Sequence, residues 1–533
     1  MKIPEKPLER EAFYLDLIQK CNVSVEERRS FYSAMRAYYL FGAGPQDAPA
    51  YYNKIFPHLD QLTSFLYSAE TTRFSIELGA SVSQIETTKI PALTRALRDE
   101  WLNSNADQIF SSALTWALVY NTTFVKLIPN KGTHPHMVEP ASVGVLREDI
   151  PYTDRQEALC HTYAITRSEL YARIYAHPRR DEMMKRVTSG PTNRIEIPEG
   201  VDKIITASFE PDMVGNVNLD LYGQPTYKPR VAEETVEMRE LWVWNTDTED
   251  YQVVTIASPG VVIYDRPGET VFLKGECPLI QIAPSPLYDY YWGQSEVSRL
   301  TTLQMLRNRR MMEILDLLSK QVSPPTALIG FTGILDEKDF ALNRAGGLLA
   351  TDMPSAKVEK LAPNIPENLF RELNEIDDMF AEASGISSIL SGRGESGVRS
   401  AGHASQLARL GSSRAKKRAL LVEDALEKMA TMYLKMMRVY DTRHYTDDLG
   451  NKFIAAQFTD DFVVKVDAHS NSPIFMEDLR DLAFNLFKAQ AIDKESLIDL
   501  LEPPMKDLLK QRLKRAEAAP PSGLTENILR VAK

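Results

Sequence analysis

Two long stretches that are almost free of glycine and proline constrain this chain most. Residues 293–322 contain neither after Gly293, and their apolar residues recur every three or four positions, the spacing of one helix face. At about 1.5 Å per residue, such a helix would be about 45 Å long. Residues 404–440, interrupted only by Gly411, predict a still longer helix. The second half of the chain is therefore expected to be a long helical system.

The first of these helices ends at Ser323-Pro324-Pro325, because proline lacks the amide hydrogen and restrains the residue before it. A second helix is predicted from Glu367 to Ala383. It is acidic, with Arg371 opposed by Glu367, Glu372, Glu375, Asp377, Asp378 and Glu382. The helix over 293–322 has an excess of basic residues: Arg299, Arg307, Arg309, Arg310 and Lys320 against Glu296, Glu313 and Asp316. This opposition predicts an antiparallel pair with a small strand-rich insertion at its tip.

The rest of the chain predicts a mixed body, so the fold class is α+β. From Glu11 to about Tyr120 the periodicity is mostly helical, and Thr122–Ile128 favours a strand. Residues 236–283 read as an antiparallel meander of four or five short strands, which ends at Pro284-Ser285-Pro286. Near the end of the chain, a β pair is predicted from Phe453–Phe458 and Phe462–Val466.

Composition excludes several classes of protein. Hydrophobic residues make up 44% and charged residues 25%, which is typical of a folded chain rather than a disordered or fibrous one. The net charge of −11 is unlike that of a free-standing DNA-binding protein, although a groove responds to its local lining. Three cysteines are too few for a disulfide framework or a thiolate zinc site. With no apolar leader and no run approaching the ~18 residues of a membrane span, neither export by a signal peptide nor a membrane location is expected.

Motifs of catalysis are missing from the sequence: it contains no GxxxxGK[ST], no HExxH and no CxxC. Gly392–Gly397 is a literal GxGxxG, but it follows an acidic helix rather than a strand, so a glycine-rich loop is favoured over a dinucleotide site. A nucleotide- or dinucleotide-binding enzyme that uses this loop remains the alternative. His134 and His136 flank Pro135 in a predicted solvated loop. We therefore expect no enzyme activity, no cofactor and no metal.

A basic stretch begins the longest helix. Arg414, Lys416, Lys417 and Arg418 are candidates either for phosphate contact or for structural ion pairs, for example with the acidic helix of a neighbouring subunit. Both interpretations stay open. No aromatic residues are interleaved with these cations, so stacking of bases is not expected here.

Several segments occur in an order that resembles the portal proteins of tailed bacteriophages, particularly short-tailed phages. They are AYYNKIFPHLDQLTSFLYS, NTTFVKLIP, VEPASVGVLRED, YYWGQSEVSRLTTLQMLRNRRM, PPTALIG and GGLLATDMPSAKVEKLAPNIPENLFRELNEIDDMFAEASGISSILSG. The resemblance covers nearly the whole chain, and it depends on the joint order of these segments.

The resemblance implies a ring, usually of twelve subunits, around a DNA channel at one capsid vertex. It divides the chain into a wing (1–292), stem helix 1 (293–322), a clip (323–366), stem helix 2 (367–384), a tunnel loop (385–401), a second wing part with the long helix and β pair (402–472), and a crown with the C-terminal tail (473–533). The implied partners are further copies of the chain, double-stranded DNA, the large terminase subunit, a tail adaptor or head-completion protein, and the major capsid and scaffolding proteins. The implied location is the virion, with assembly in the host cytoplasm.

The resemblance also implies where the functional residues lie. The tunnel loop and the position just after it contribute Ser391, Arg393, Glu395, Arg399 and His403 near the DNA, and the clip turns Asp336, Glu337, Lys338 and Arg344 toward terminase or the adaptor. The channel-facing residues of stem helix 2 would be Glu375, Asp378 and Glu382. Their spacing of three and four allows them to share one helix face. An acidic lining would oppose phosphate binding and let a polyanion slide.

Overall fold

The computed structural model describes residues 1–44, 52–67, 72–80, 82, 84–129, 132–188, 234–322, 326–329, 357–360, 366–384, 413–447, 449–467, 483–501 and 512–513. Helices and strands alternate irregularly within these residues, so the fold class is α+β as predicted. None of the helices that they form is long and apolar enough to cross a membrane.

The helices are α1 (Pro7–Cys21), α2 (Val25–Phe41), α3 (Ile55–Leu66), α4 (Gln84–Thr87), α5 (Ile90–Asn103), α6 (Ala106–Tyr120), α7 (Arg167–Arg173), α8 (Arg180–Arg186), α9 (Gly268–Val271), α10 (Glu296–Val322), α11 (Glu367–Ser384), α12 (Ser413–Tyr440) and α13 (Lys494–Leu501). The mostly helical first part of the chain is confirmed by α1 to α6.

The strands are β1 (Arg73–Leu78), β2 (Thr123–Pro129), β3 (Thr133–Val138), β4 (Val143–Val145), β5 (Ala158–Thr166), β6 (Thr235–Asn245), β7 (Asp250–Ala257), β8 (Val261–Pro267), β9 (Leu279–Ile282), β10 (Thr326–Ile329), β11 (Lys357–Lys360), β12 (His444–Thr446), β13 (Lys452–Ile454) and β14 (Phe462–Asp467). They form a five-stranded sheet in the order β4-β5-β6-β7-β8, a three-stranded sheet in the order β3-β2-β9, and three antiparallel pairs: β1-β14, β10-β11 and β12-β13.

Helices cover the five-stranded sheet differently on its two faces. On one face, residues such as Cys160, Leu241 and Val254 pack against α1. On the opposite face, Leu159 and Trp242 join the main hydrophobic core, while Met238 and Ile263 join a separate cluster beneath α7 and α8. Alternate residues of a strand point to opposite faces, which explains how one sheet contributes to all three clusters.

The longest helix runs through the main core. Residues of α12 from Ala419 to Met437 are buried at every turn, among them Leu426, Met429, Tyr433 and Leu434. This helix also packs against α3, β9 and β14. It therefore connects α3, in the first part of the chain, to β14 in the last part. Of the helix predicted over 404–440, the structure describes Ser413–Tyr440, and residues 404–412 lie outside the described residues.

The predicted meander is only partly right. Strands β6, β7 and β8 are consecutive and antiparallel as expected, but their sheet continues to β5 and β4 on the other side. The segment TVFLKG (residues 270–275), which the predicted meander includes as a short strand, begins in the short helix α9. Strand β9 pairs with β2 in the three-stranded sheet. Consecutive short β-rich runs predict a single sheet, but their spacing in the sequence does not specify which strands pair.

Two further expectations for strands and loops are wrong. Strand β14 pairs with β1 and not with the segment before it, and Phe453 lies in β13, which pairs with β12. His134 and His136 lie in strand β3 rather than in a loop. Strand β3 forms because its residues pair in register with β2, from Phe124 opposite Val138 to Pro129 opposite Thr133.

A buried ion pair joins the two larger sheets. The Lys126 ammonium on β2 lies 2.7 Å from Oε1 of Glu240 on β6 and 3.3 Å from Nδ1 of His161 on β5. Burial and the adjacent Lys126 ammonium lower the pKa of His161 to about 3, so this imidazole is neutral at physiological pH. The three cysteines are buried and unpaired, in line with the absence of a disulfide framework.

Candidate functional site

Helices α10 and α11 form the predicted antiparallel pair, joined by ion pairs. Arg307 Nε lies 2.9 Å from Oδ1 of Asp377, and Arg310 Nε lies 2.9 Å from Oε1 of Glu372. The residue number increases along one helix while it decreases along the other, which makes the pair antiparallel. The opposite charges seen in the sequence are therefore matched across the contact between the two helices.

The Arg307–Asp377 ion pair is also anchored to the body of the protein. Asp377 Oδ2 lies 2.5 Å from the Lys54 ammonium, just before α3, so this carboxylate is shared by two cations. The Arg307 guanidinium is buried and lies 5.1 Å from the centre of the Tyr52 ring. Removing one member of such a partly buried cluster leaves an uncompensated charge, which destabilises the fold.

A hydrogen-bonded ladder of amide side chains fixes how α10 sits on α2 and α3. The Gln304 amide nitrogen donates to the Tyr52 carbonyl (3.1 Å) and to Oδ1 of Asn308 (2.8 Å), and its oxygen accepts from the Lys54 amide (3.1 Å). Asn308 in turn donates to the carbonyl of Gly42, which ends α2 (2.8 Å). Because Gln304 is fully buried, its hydrogen bonds specify one orientation of the helix.

The three predicted acidic residues of α11 share one exposed face. Glu375, Asp378 and Glu382 are all exposed, while Ile376 and Phe380 are buried on the opposite side of the helix. The three carboxylates therefore share one face, and that this face lines a channel stays a prediction. Arg371 Nε lies 3.1 Å from Oε1 of Glu375, so part of the negative charge is balanced at the start of the helix. We call Glu375, Asp378 and Glu382 the acidic face.

A buried carboxylate begins α10. Glu296 is 1% exposed; its Oε2 lies 2.8 Å from Nη2 of Arg418 and 3.3 Å from Nη1 of Arg299. Oε1 of Glu296 and Nε2 of His58 lie 4.0 Å apart, too far for a hydrogen bond. Burial alone would raise the pKa of Glu296, but the nearby His58, Arg418 and Arg299 outweigh burial and hold that pKa below its ordinary value.

This cluster accounts for one of the four basic candidates of the long helix. Arg418 pairs with Glu296 of the same chain, so for this residue the structure shows a structural ion pair within the chain. Lys417 is exposed. The side chains of Arg414 and Lys416 lie outside the described residues. For Lys417, both interpretations remain predictions.

The segment before α10 is held rigidly against the body. The Arg28 guanidinium lies 3.6 Å from the centre of the Trp292 ring, and Trp292 Nε1 donates to Oε1 of Glu148 (2.7 Å). Gly293 follows with φ +70°, in the left-handed region that favours glycine. The Ser295 hydroxyl donates to the Val119 carbonyl (2.6 Å) and accepts from the Ser298 amide (3.1 Å), which caps the helix.

The predicted tunnel-loop and clip residues form two further groups. The tunnel-loop candidates Ser391, Arg393, Glu395, Arg399 and His403, the glycine motif Gly392–Gly397, and the clip candidates Asp336, Glu337, Lys338 and Arg344 lie outside the described residues. Strands β10 and β11 pair antiparallel between α10 and α11, in line with a strand-containing insertion between the two helices.

Within the part of the chain that the structure describes, no three His, Cys, Asp or Glu side chains are grouped so that they could hold a metal ion. His134 and His136 are exposed on the same face of β3 without a third such ligand beside them in that part. The expectation that this His-Pro-His segment is not a metal centre stays a prediction.

No family model matches this sequence, and no curated protein matches it. Among solved structures, the chain is similar to chains from gene transfer agent (GTA) particles. These are the virion of the native particle (TM-score 0.41, 12% identity), the neck of the native particle computed with C12 symmetry (0.41, 11%) and the neck of the empty particle computed with C6 symmetry (0.42, 12%). Each similarity covers 89% of this chain and 93% of the other. At this identity and TM-score, the similarity does not by itself assign a function.

The sequence alone did not reveal the residues that hold this helix pair to the body. Lys54, Tyr52 and Gln304 look like ordinary surface and helix residues, and His58 stands alone in the sequence. One signal was present: the polar residues Arg307 and Asn308 follow the polar Gln304 by three and four positions on α10, where an apolar stripe would be expected. A polar stripe on a helix that must be partly buried points to hydrogen-bonded partners.

Proposed function

We propose that this chain is a subunit of a phage portal ring, a channel at one capsid vertex through which double-stranded DNA is packaged, retained and ejected. The observation that carries the proposal is the antiparallel pair α10–α11, locked by Arg307–Asp377 and Arg310–Glu372, with the acidic face turned away from the protein core. The order of segments that resembles portal proteins supports the same function.

In the proposed ring, α10 and α11 form the channel wall and the acidic face is directed at the DNA. Carboxylates near the DNA phosphates repel them, so the channel wall does not bind the duplex strongly at any position as it moves. The salt-bridged contact between the helices would keep the wall rigid while DNA passes. The chain supplies no chemical step in this proposal; ATP hydrolysis belongs to a terminase that docks at the clip, and tail adaptor proteins dock there later.

Electron microscopy of the purified protein, with its mass measured in solution, tests the proposed assembly. We expect rings of about twelve copies with a central hole, and no ATPase activity in a clean preparation. A compact dimer that binds nucleotide saturably would contradict the portal function and favour the enzyme alternative. Deletion of residues 388–401 separates a portal from a generic scaffold, since we expect loss of DNA packaging with capsid assembly retained.

The acidic face is tested separately on assembled rings. Removing its charge with E375Q, D378N and E382Q together is expected to increase the retention of duplex DNA by the ring, and the increase should diminish as salt rises. The matched control removes three exposed carboxylates elsewhere, with E5Q, E26Q and D247N. Equal retention by both triple variants would show that the acidic face does not line the channel.

A further inference from the structure

A second charged surface lies over the five-stranded sheet. The hydrophobic cluster beneath α7 and α8, which is separate from the main core, lies under this surface. We call this surface the basic-aromatic patch, formed by residues 167–186 of α7, α8 and their connection, with residues 264–266 of β8. The Tyr264 hydroxyl donates to the carbonyl of Arg173 (2.6 Å), and the rings of His177 and Tyr264 lie 6.5 Å apart. These contacts make the two segments one continuous surface.

The patch has an excess of positive charge that its own carboxylates do not balance. Glu169 is paired with Arg173 at 2.7 Å, and Asp181 with Arg180 at 2.9 Å. Among the described residues, no carboxylate forms an ion pair with Arg179, Lys185, Arg186 or Arg266, although Glu11 and Glu182 line the same cavity as Arg179 and Arg186. In a chain of net charge −11, such a local excess favours an anionic partner.

Aromatic rings lie beside arginines of this patch. The Arg180 guanidinium lies 4.9 Å from the centre of the Tyr171 ring and 5.3 Å from that of Tyr175, and Arg266 lies 4.1 Å above Tyr264. Tyr175 is 66% exposed despite the contact with Arg180. An exposed aromatic ring beside a guanidinium, on a surface that also carries cations without ion pairs, is an arrangement on which nucleobases can stack.

We propose that the basic-aromatic patch binds a single-stranded nucleic-acid segment. Its phosphates would lie against Arg179, Lys185, Arg186 and Arg266, and a base would stack on Tyr175. An acidic protein segment would match the charge but would not require the exposed ring, which is why nucleic acid is favoured. The proposal goes beyond the channel function, because the patch involves neither α10 nor α11.

The test measures binding of a fluorescein-labelled single strand by fluorescence anisotropy at a series of salt concentrations. The strand has about 16 nucleotides, the upper end of the site sizes of single-strand-binding modules. We expect R179E/R186E to weaken binding at least about tenfold and to reduce the slope of log K against log salt by about 1.4, or about 0.7 for each lost phosphate contact. We expect Y175A to weaken binding at least about fivefold through the loss of stacking.

The control is K6E/R29E, which makes the same change of charge at two exposed positions outside the patch. Urea unfolding of every variant checks that the fold is kept. An equal loss of affinity in the control and in R179E/R186E would overturn the proposal, as would binding that does not respond to Y175A. Binding of a glutamate-rich peptide but not of the oligonucleotide would assign the patch to a protein partner instead.

A duplex of the same length is the last probe, and we expect it to bind more weakly than the single strand and to be insensitive to Y175A. The measurement does not require a ring, so it remains informative if the protein fails to assemble. If the protein forms no rings but binds the single strand, only the portal function is contradicted. If it forms rings but does not bind the single strand, only the proposal for the basic-aromatic patch is contradicted.

Discussion

Asp377 holds two cations that have few other partners. Its carboxylate contacts Arg307 at 2.9 Å and Lys54 at 2.5 Å, and Arg307 Nη1 is buried without a hydrogen-bond partner among the described residues. Removing the carboxylate with D377A leaves both cations uncompensated, so we expect the free energy of unfolding to fall by about 2–3 kcal/mol. Urea denaturation measures the change.

Asp378 provides the control at the next position of the same helix. It lies on the exposed acidic face, where D378A should change the free energy of unfolding by no more than about 0.5 kcal/mol. If the two variants were equally stable, the shared carboxylate would not stabilise the helix pair.

Glu296 makes stability depend on pH. Its pKa in the folded protein is lowered from the ordinary value of 4.5, because the nearby His58, Arg418 and Arg299 together outweigh the effect of burial. The ionised carboxylate therefore stabilises the fold above about pH 4.5, and this contribution disappears as the pH falls through the lowered folded-state pKa. We expect E296Q to be less stable than the wild type at neutral pH and to lose less stability on acidification. Urea unfolding at several pH values checks this, and parallel profiles for the two proteins would contradict it.

At the scale of elements, the direction of α10 depends on how the chain enters it. Gly293 has φ +70°, and a Cβ added there would lie 2.8 Å from the carbonyl oxygen of Ser285. G293A combines left-handed backbone strain of about 1–2 kcal/mol with this clash, so its cost should exceed that of the strain alone. Gly450 is the matched control, with φ +84° and no described atom within 4 Å of the position that a Cβ would take. Thermal or urea unfolding should rank G293A below G450A, and the opposite order would rule out the clash.

The elements that the sequence identified best are those whose signal is local. The periodicity of residues 293–322 predicted α10 to within a few residues, and the acidic helix was predicted to within one residue of α11. The strand partners were predicted poorly, since β14 pairs with β1 and β9 leaves the expected meander for β2. Pairing joins segments that are distant in sequence. A strand's own residues do not specify which of the other strands will pair with it.

At the scale of the whole molecule, the helix pair exposes more apolar surface than an isolated protein would favour. Met305 and Met312 of α10 and Phe370 and Met379 of α11 are each about half exposed. Large exposed apolar side chains on two adjacent helices are typical of a surface that is covered on assembly. In the proposed ring, the neighbouring copies would cover it through heterologous contacts.

This surface gives a test at the level of assembly. We expect M305E/M379E to reduce the fraction of protein in rings at least about tenfold while the free energy of unfolding of the single chain changes by no more than about 0.5 kcal/mol. Mass photometry measures the ring fraction. The control, L8E, introduces a charge at the exposed Leu8 of α1 and should leave assembly unchanged. Rings that form equally well with both variants would exclude these side chains from the contact.

The sequence by itself determined the two long helices, their opposite charges and the common face of Glu375, Asp378 and Glu382. These features follow from the spacing of residues along a single helix, which is fixed by the geometry of the backbone. Only the tertiary structure decided that Asp377 is shared with Lys54, that Arg418 pairs with Glu296, and that Tyr264 of β8 joins the tyrosines of α7 and its following turn. Each of these contacts joins residues far apart in the chain, so it exists only once packing of the cores has brought their elements together.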